Sequence, residues 1–96
     1  MADWYIYLIR CRDGSLYTGI TTDVARRLDA HRKGSGASYL RGRAPLKLVF
    51  QRKLGDRSLA LAVEHRVKRL TKVKKEELVR TGKYLDGIIA QAGKKD

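Results

Sequence analysis

Residues Trp4 to Cys11 form a run of aromatic and β-branched side chains, and the Asp13-Gly14 pair behind them is a turn signal standing before a second short apolar run, Leu16 to Ile20. Two extended segments joined by so short a turn pair with each other, so the chain opens on a β-hairpin. Whatever follows must cover that hairpin. With 96 residues there is room for one domain around one modest core, and 43% hydrophobic with 33% charged residues is the composition of a chain that folds.

Downstream of the hairpin, Thr22 or Asp23 can cap a helix over about 23 to 33, with Val24, Leu28 and Ala25 as its inward stripe and His31, Arg32 and Lys33 at the negative end of its dipole. Residues 34 to 45 hold three glycines and the only proline, with Arg41 and Arg43 among them, which reads as a mobile basic loop. Leu46, Leu48 and Phe50 alternate with Lys47, Val49 and Gln51, so a third strand is predicted with those three residues on one buried face. Asp56 or Ser58 then caps a long helix with Ala60, Val63, Val67 and Leu70 on its apolar stripe. A shorter helix after Thr71 carries Leu78 and Val79 and stops at Gly82. Tyr84, Leu85, Ile88 and Ile89 fit a last helical segment, and Gly93 to Asp96 is a polar tail expected to fray. The order β-β-α-β-α-α-α implies an α+β fold, a three-stranded mainly antiparallel sheet flanked by helices.

Charge narrows the partners. The 22 Lys and Arg against 10 Asp and Glu leave +12 at pH 7, a field that draws polyanions and exchanges their condensed counterions for protein cations. Nucleic acid is therefore the expected partner. Membranes are not, because no apolar stretch approaches the length of a span and Met1-Ala2-Asp3 lacks the basic start of a signal peptide, so a cytoplasmic protein is expected. Cys11 is the only cysteine, which excludes an internal disulfide and a thiolate metal cluster; in an apolar strand it is expected to be a buried structural thiol.

The segment Tyr5-Ile6-Tyr7, the segment Tyr17-Thr18-Gly19 ten residues on, and Arg27 on the next helix together resemble the signature of the GIY-YIG nuclease family. The resemblance runs on through Leu16 to Val24, Gly55 to Leu61 and Arg66 to Lys72, stretches similar to its small bacterial YhbQ-like branch, and reaches to about residue 84. It implies the GIY-YIG endonuclease fold over residues 1–83, with residues 84–96 as a C-terminal helical segment and basic tail. It also implies a metal-dependent endonuclease that hydrolyses phosphodiester bonds of DNA or RNA, in repair or nucleic-acid processing. The rival reading is a catalytically weak nucleic-acid-binding module, for which basic helices and stacking tyrosines suffice.

Residue by residue, the resemblance gives catalytic roles to Tyr7, Tyr17, Arg27, His31 and Glu64, with Gly19 as the structural glycine of the second motif. Glu64 is the implied metal ligand, a hard oxygen donor suited to one Mg²⁺ or Mn²⁺ ion. On spacing alone Glu64 is an i,i+4 partner of Lys68, Arg27 and His31 are one edge of an amphipathic helix, and the tyrosines are core aromatics. In the catalytic reading Arg27 grips the scissile phosphate, His31 exchanges a proton, and one of the two tyrosines takes the proton of the attacking water, its pKa lowered from about 10 by neighbouring cations or metal-bound water. The sequence departs from the family at Tyr5 for glycine, Thr18 for isoleucine and Ile20 for the lysine of the excision-repair branch. It also contains no asparagine, although that branch uses one on a following helix. Phosphate contacts are therefore expected from Arg26, Arg41, Arg43, Lys68 and Lys72. DNA is favoured over RNA as the partner, a monomer over an oligomer, and a protein partner is a candidate source of specificity.

A role shared by both tyrosines has a geometric condition. Tyr7 and Tyr17 have equal parity, so they share a sheet face only if paired positions sum to an even number. That requires a three-residue loop, Arg12-Asp13-Gly14, with Gly14 left-handed and Cys11 opposite Ser15. A two-residue turn would put the tyrosines on opposite faces.

Overall fold

The structure is a computed structural model that describes residues 2–94. Strand β1 (Trp4–Arg10) lies at the centre of one antiparallel sheet, between β2 (Leu16–Thr21) and β3 (Lys47–Gly55). Helix α1 (Val24–Arg32) and a single 3₁₀ turn (Ser38–Leu40) separate β2 from β3, and α2 (Arg57–Lys68), α3 (Lys72–Thr81) and α4 (Leu85–Ala92) follow. This is the expected α+β order.

Its centre explains the unbroken apolar run of β1. Ile6 and Leu8 pack on one face against Val63 and Val67 of α2, Leu78 of α3 and Leu85 of α4, all fully buried. Tyr7, Ile9 and Cys11 pack on the other face with Val24, Leu40 and Leu46. A strand covered on both sides has no polar alternation to show. The lone cysteine is buried, as expected, and only 4% exposed.

The hairpin meets the parity condition. Tyr7 stands opposite Gly19 and Ile9 opposite Tyr17, and the Cys11 N–H donates to the Ser15 carbonyl at 2.9 Å. Gly14 has φ of +85°, a conformation open to glycine at no steric cost, and its N–H closes the loop on the Cys11 carbonyl. Asp13 Oδ1 accepts from both the N–H and the hydroxyl of Ser15, which fixes the turn.

The third strand differs from expectation. It runs to Gly55, and between Leu8 opposite Phe50 and Ile9 opposite Leu48 the register shifts, leaving Val49 as an extra residue in β3. The bulge turns Phe50 and Val49 toward the α2–α4 core while Leu46 and Leu48 stay with the α1 core, so Leu46, Leu48 and Phe50 do not share a face. A second shift between Trp4 and Tyr5 ends the pairing at Gly55.

The helix starts were readable. Asp23, Asp56 and Thr71 cap α1, α2 and α3 by accepting from Arg26, Leu59 and Lys74 backbone N–H groups. Gly82, left-handed at φ +77°, stops α3. Ala25 is exposed rather than inward, because the short α1 meets the sheet only through Val24, Leu28 and His31. Leu70 lies beyond the end of α2 yet still packs on its core, and Tyr84 precedes α4 in a left-handed conformation. Gly93 and Lys94 carry no regular structure; Lys95 and Asp96 of the expected tail lie outside the described residues.

Residues 34–45 form a pinned arch instead of a mobile loop. Leu40 and Leu46 are buried, the Ser35 and Ala37 N–H groups return to Ala30 O and His31 Nδ1, and Arg43 pairs with Asp13 at 2.7 Å. On the opposite side, Arg10 makes a two-pronged bond to Glu76 at 2.6 and 2.8 Å, which docks α3 against the hairpin and pulls the Glu76 carboxyl down to about 2.

Candidate active site

Tyr7 and Tyr17 project from the hairpin toward α1, and the His31 ring closes the group from the last turn of that helix. Ring centroids lie 6.4 Å apart for the two tyrosines, 5.9 Å for Tyr7 and His31, and 5.6 Å for Tyr17 and His31. The Tyr7 hydroxyl and His31 Nε2 are hydrogen-bonded at 2.8 Å in a buried setting.

Two glycines make this approach possible. Tyr7 faces Gly19 across the strand pair, and its phenol fills the space where a Cβ at position 19 would stand. The His31 imidazole fills the same space at Gly36. Gly19 was legible as part of the second motif; Gly36 was not, since in the sequence it is one of three glycines in a loop.

The arch also sets the proton on His31. The Ala37 N–H donates to Nδ1 at 3.2 Å, so Nδ1 is the acceptor and the neutral ring carries its proton on Nε2, facing Tyr7. Burial, helped by the Arg27 charge, holds the His31 pKa below its ordinary value, which favours the neutral ring. Both ring nitrogens thus have partners, and the imidazole is a fixed donor to the Tyr7 oxygen.

With the protein's own groups alone around it, Tyr7 does not show the lowered pKa expected of one of the two tyrosines. Burial pushes the phenol up to about 12; the Arg27 guanidinium beside it pulls down, and Tyr17 and the Glu64 carboxylate add to the rise. The desolvation of a residue only 2% exposed outweighs the one nearby cation.

Around this centre the other sequence-derived residues fall into two groups. Arg27 is exposed at the mouth of the site and, with Arg26, Thr21 and Thr22, lines an open cleft of about 380 Å³. Glu64, on α2, has a side chain 18% exposed and pairs with Lys68 at 3.4 Å, so the i,i+4 partnership does form. Arg41 is exposed and reaches only the Gly34 carbonyl. Arg43 and Lys72, by contrast, are bonded to other groups of the chain at its surface. Arg43 bonds Asp13 and the Tyr39 carbonyl and lies 4.1 Å over the Tyr39 ring; Lys72 bonds the Gly14 carbonyl at 2.8 Å. Tyr39, which sequence reading passed over, stacks on Tyr17 with centroids 5.9 Å apart. Only an aromatic in a basic loop marked it.

Among the described residues no group of three or more His, Cys, Asp and Glu side chains comes together. A single mostly buried carboxylate suits a hard divalent ion that keeps most of its water shell, as Mg²⁺ does, and does not suit an ion that needs a closed protein cage. No helix among the described residues is long and apolar enough to cross a membrane.

Comparison with known proteins gives concordant results. The family model described as the GIY-YIG catalytic domain matches residues 3–77. A UPF0213 protein of Citrobacter koseri is 54% identical over 90 residues, covering 94% of this chain and 90% of that one. The UPF0213 protein YhbQ of Escherichia coli is 58% identical over 82 residues, covering 85% and 82%. Among solved structures, a UPF0213 protein from Bacillus halodurans aligns with 39% identity and a TM-score of 0.56 over 97% of this chain and 99% of that one. A protein from E. faecalis aligns with 38% identity and a TM-score of 0.61 over 85% and 88%.

Proposed function

Since this chain belongs to the GIY-YIG catalytic domain family, a family of nucleases, we propose that it is a metal-dependent endonuclease hydrolysing phosphodiester bonds of nucleic acid, DNA before RNA. The catalytic unit is taken as residues 1–83, with the segment 84–96 packed on its core through Leu85. The observation that carries the reading is the relay Ala37 N–H to His31 to Tyr7, a buried phenol oxygen facing a donor whose tautomer the backbone has chosen.

Hydrolysis requires a water whose proton is taken as it attacks phosphorus, cations on the non-bridging oxygens, and charge relief as the P–O bond to the leaving oxygen breaks. In this reading the tyrosine pair takes the proton. A donated Nε2–H stabilises the Tyr7 oxygen once it is ionised, and Arg27, exposed beside it, grips the phosphate. Glu64 would hold Mg²⁺ or Mn²⁺, which supplies Lewis acidity toward the phosphate and an acidified water. Arg26, Arg41 and Lys68 carry the strand on either side, while Arg43 and Lys72 hold the scaffold before they touch a ligand.

One observation favours the rival binding module: burial keeps Tyr7 a neutral phenol at neutral pH in the free protein. The deciding experiment is a cleavage panel of single-stranded, duplex and branched DNA and of RNA, each with Mg²⁺, Mn²⁺ or chelator. Product that depends on metal and is lost in Glu64→Ala supports the nuclease; no product above that control on any nucleic acid rejects it.

A further inference from the structure

Helix α3 presents three lysines, and two of them are occupied. Lys72 bonds the Gly14 carbonyl and pairs with Glu76, and the Lys74 ammonium lies 5.6 Å from the Tyr84 ring centroid. Lys75 is half-buried, yet among the described residues its side chain has no ion pair and no hydrogen bond. It lines a cleft of about 350 Å³ together with Leu16, Tyr17, Thr18, Tyr39 and Lys68. The wall of that cleft holds a second unused group. The Thr18 hydroxyl is the one buried side-chain polar atom without a partner among the described residues, in a residue 3% exposed.

A buried hydroxyl without a partner loses the hydrogen bonds it made to water, and a half-buried ammonium without a counter-charge forgoes part of its hydration. An anion that reached both groups would satisfy each of them. The other walls agree. Lys68 adds positive charge, though Glu64 already holds it, and Tyr39, stacked on Tyr17 and covered by Arg43, forms a fixed aromatic side to the cleft. β2 is an edge strand, so the cleft is open along its free side, and it shares Tyr17 with the candidate active site.

We propose that this cleft is a second phosphate subsite, which takes the backbone phosphate adjoining the scissile one, with Lys75 as its principal charge and Thr18 as its hydroxyl donor. The inference rests on the nuclease reading for the identity of the ligand. Its test is independent of turnover, because binding is measured in chelator.

The experiment titrates a short fluorescent oligonucleotide, single-stranded and as a duplex, with wild-type protein, Lys75→Ala, Lys75→Arg, Lys74→Ala and Thr18→Val at several salt concentrations. Lys75→Ala should weaken binding about ten-fold, the size of one charge-assisted contact, and reduce the slope of log affinity against log salt by about one. Lys75→Arg should retain most of the affinity, and Lys74→Ala should stay near wild type. Thr18→Val should weaken binding while leaving the melting temperature equal or higher, since it deletes an unpaired hydroxyl at constant shape. A merely structural threonine gives the opposite pattern. Lys75→Ala indistinguishable from Lys74→Ala overturns the proposal, as does wild-type protein that binds neither oligonucleotide at low salt. Absence of cleavage in the metal panel, with these binding differences intact, rejects the nuclease and leaves the subsite standing.

Discussion

The Tyr7 phenol occupies the space in which a side chain at position 19 would begin, so the tyrosine of the first motif and the glycine of the second are one packing unit. Gly19→Ala must therefore move the ring or the strand. Overpacking of this kind costs roughly 1 to 3 kcal/mol, and here the displaced group is the partner of His31. The expected outcome is a folded protein with a lower melting temperature, and a cleavage rate reduced far more than its affinity for nucleic acid. Gly14→Ala, strained at a positive φ but far from the tyrosines, should lower stability with a much smaller loss of rate.

Arg43 and Arg41 were indistinguishable in the sequence as two arginines of one basic loop, and the structure separates them. Arg43 ties the arch to the hairpin through Asp13 and covers Tyr39, whereas Arg41 meets only a backbone carbonyl at the surface. The exposed ion pair is worth little, and the stacking adds roughly 0.5 to 1 kcal/mol. Arg43→Ala should thus lower the melting temperature by a few degrees, while Arg41→Ala should leave it unchanged and shrink the salt dependence of binding. Equal melting temperatures for the two variants would remove the structural role given to Arg43.

Stability should respond to pH at both ends for identifiable reasons. The folded protein holds His31 below its ordinary pKa, so as pH falls the unfolded chain takes up a proton that the folded ring refuses. The stabilisation is present above about 6.5 and is lost as pH drops through the folded value. Glu76, pulled down to about 2 by Arg10, adds its own loss only below the usual carboxylate range. Tyr7 works in the other direction: with its pKa raised to about 12, its contribution persists below about 10 and is lost as pH rises through the folded value. Melting curves should show a mildly acidic decline that His31→Gln flattens, and an alkaline decline that Tyr7→Phe flattens.

Much of this was legible in the chain, for local reasons. Asp13-Gly14 marked the turn, a face shared by Tyr7 and Tyr17 required a three-residue loop, and Asp23, Asp56, Thr71 and Gly82 bounded helices through contacts within three or four residues. What stayed hidden depended on partners distant in sequence. The bulge at Val49 answers to packing on both faces of β1, and the alternation of Leu46, Leu48 and Phe50 therefore misled. Gly36 matters because His31 lies over it, and Lys72 is committed because α3 docks on a turn 58 residues away. The direction of the Tyr7 pKa was missed because the sequence displays the cations but not the burial that outweighs them.

Arg27→Ala and Glu64→Ala should fail in different ways, and the difference separates a catalyst from a binder. Both should lose cleavage. Arg27 is exposed beside Tyr7 and free to meet a phosphate, so its removal should also weaken binding, by roughly 1 to 3 kcal/mol for a charge-assisted contact. Glu64 instead holds Lys68 at 3.4 Å, and Glu64→Ala frees that ammonium while deleting a negative charge, so binding should be unchanged or tighter. Under either reading affinity falls with salt, as counterion release demands. Only a catalyst gives, at saturating substrate, a rate that climbs with pH toward alkaline values, because in the proposed mechanism the tyrosine pair, of which Tyr7 is a phenol in the free protein, takes the proton only once ionised. His31→Ala should lower that rate and move the rise to higher pH, since it removes the Nε2–H that stabilises the ionised oxygen, and should leave the salt slope where it was because the ring is neutral. A Glu64→Ala protein that cleaves in Mg²⁺ at the wild-type rate would mean that this carboxylate holds Lys68 and nothing else.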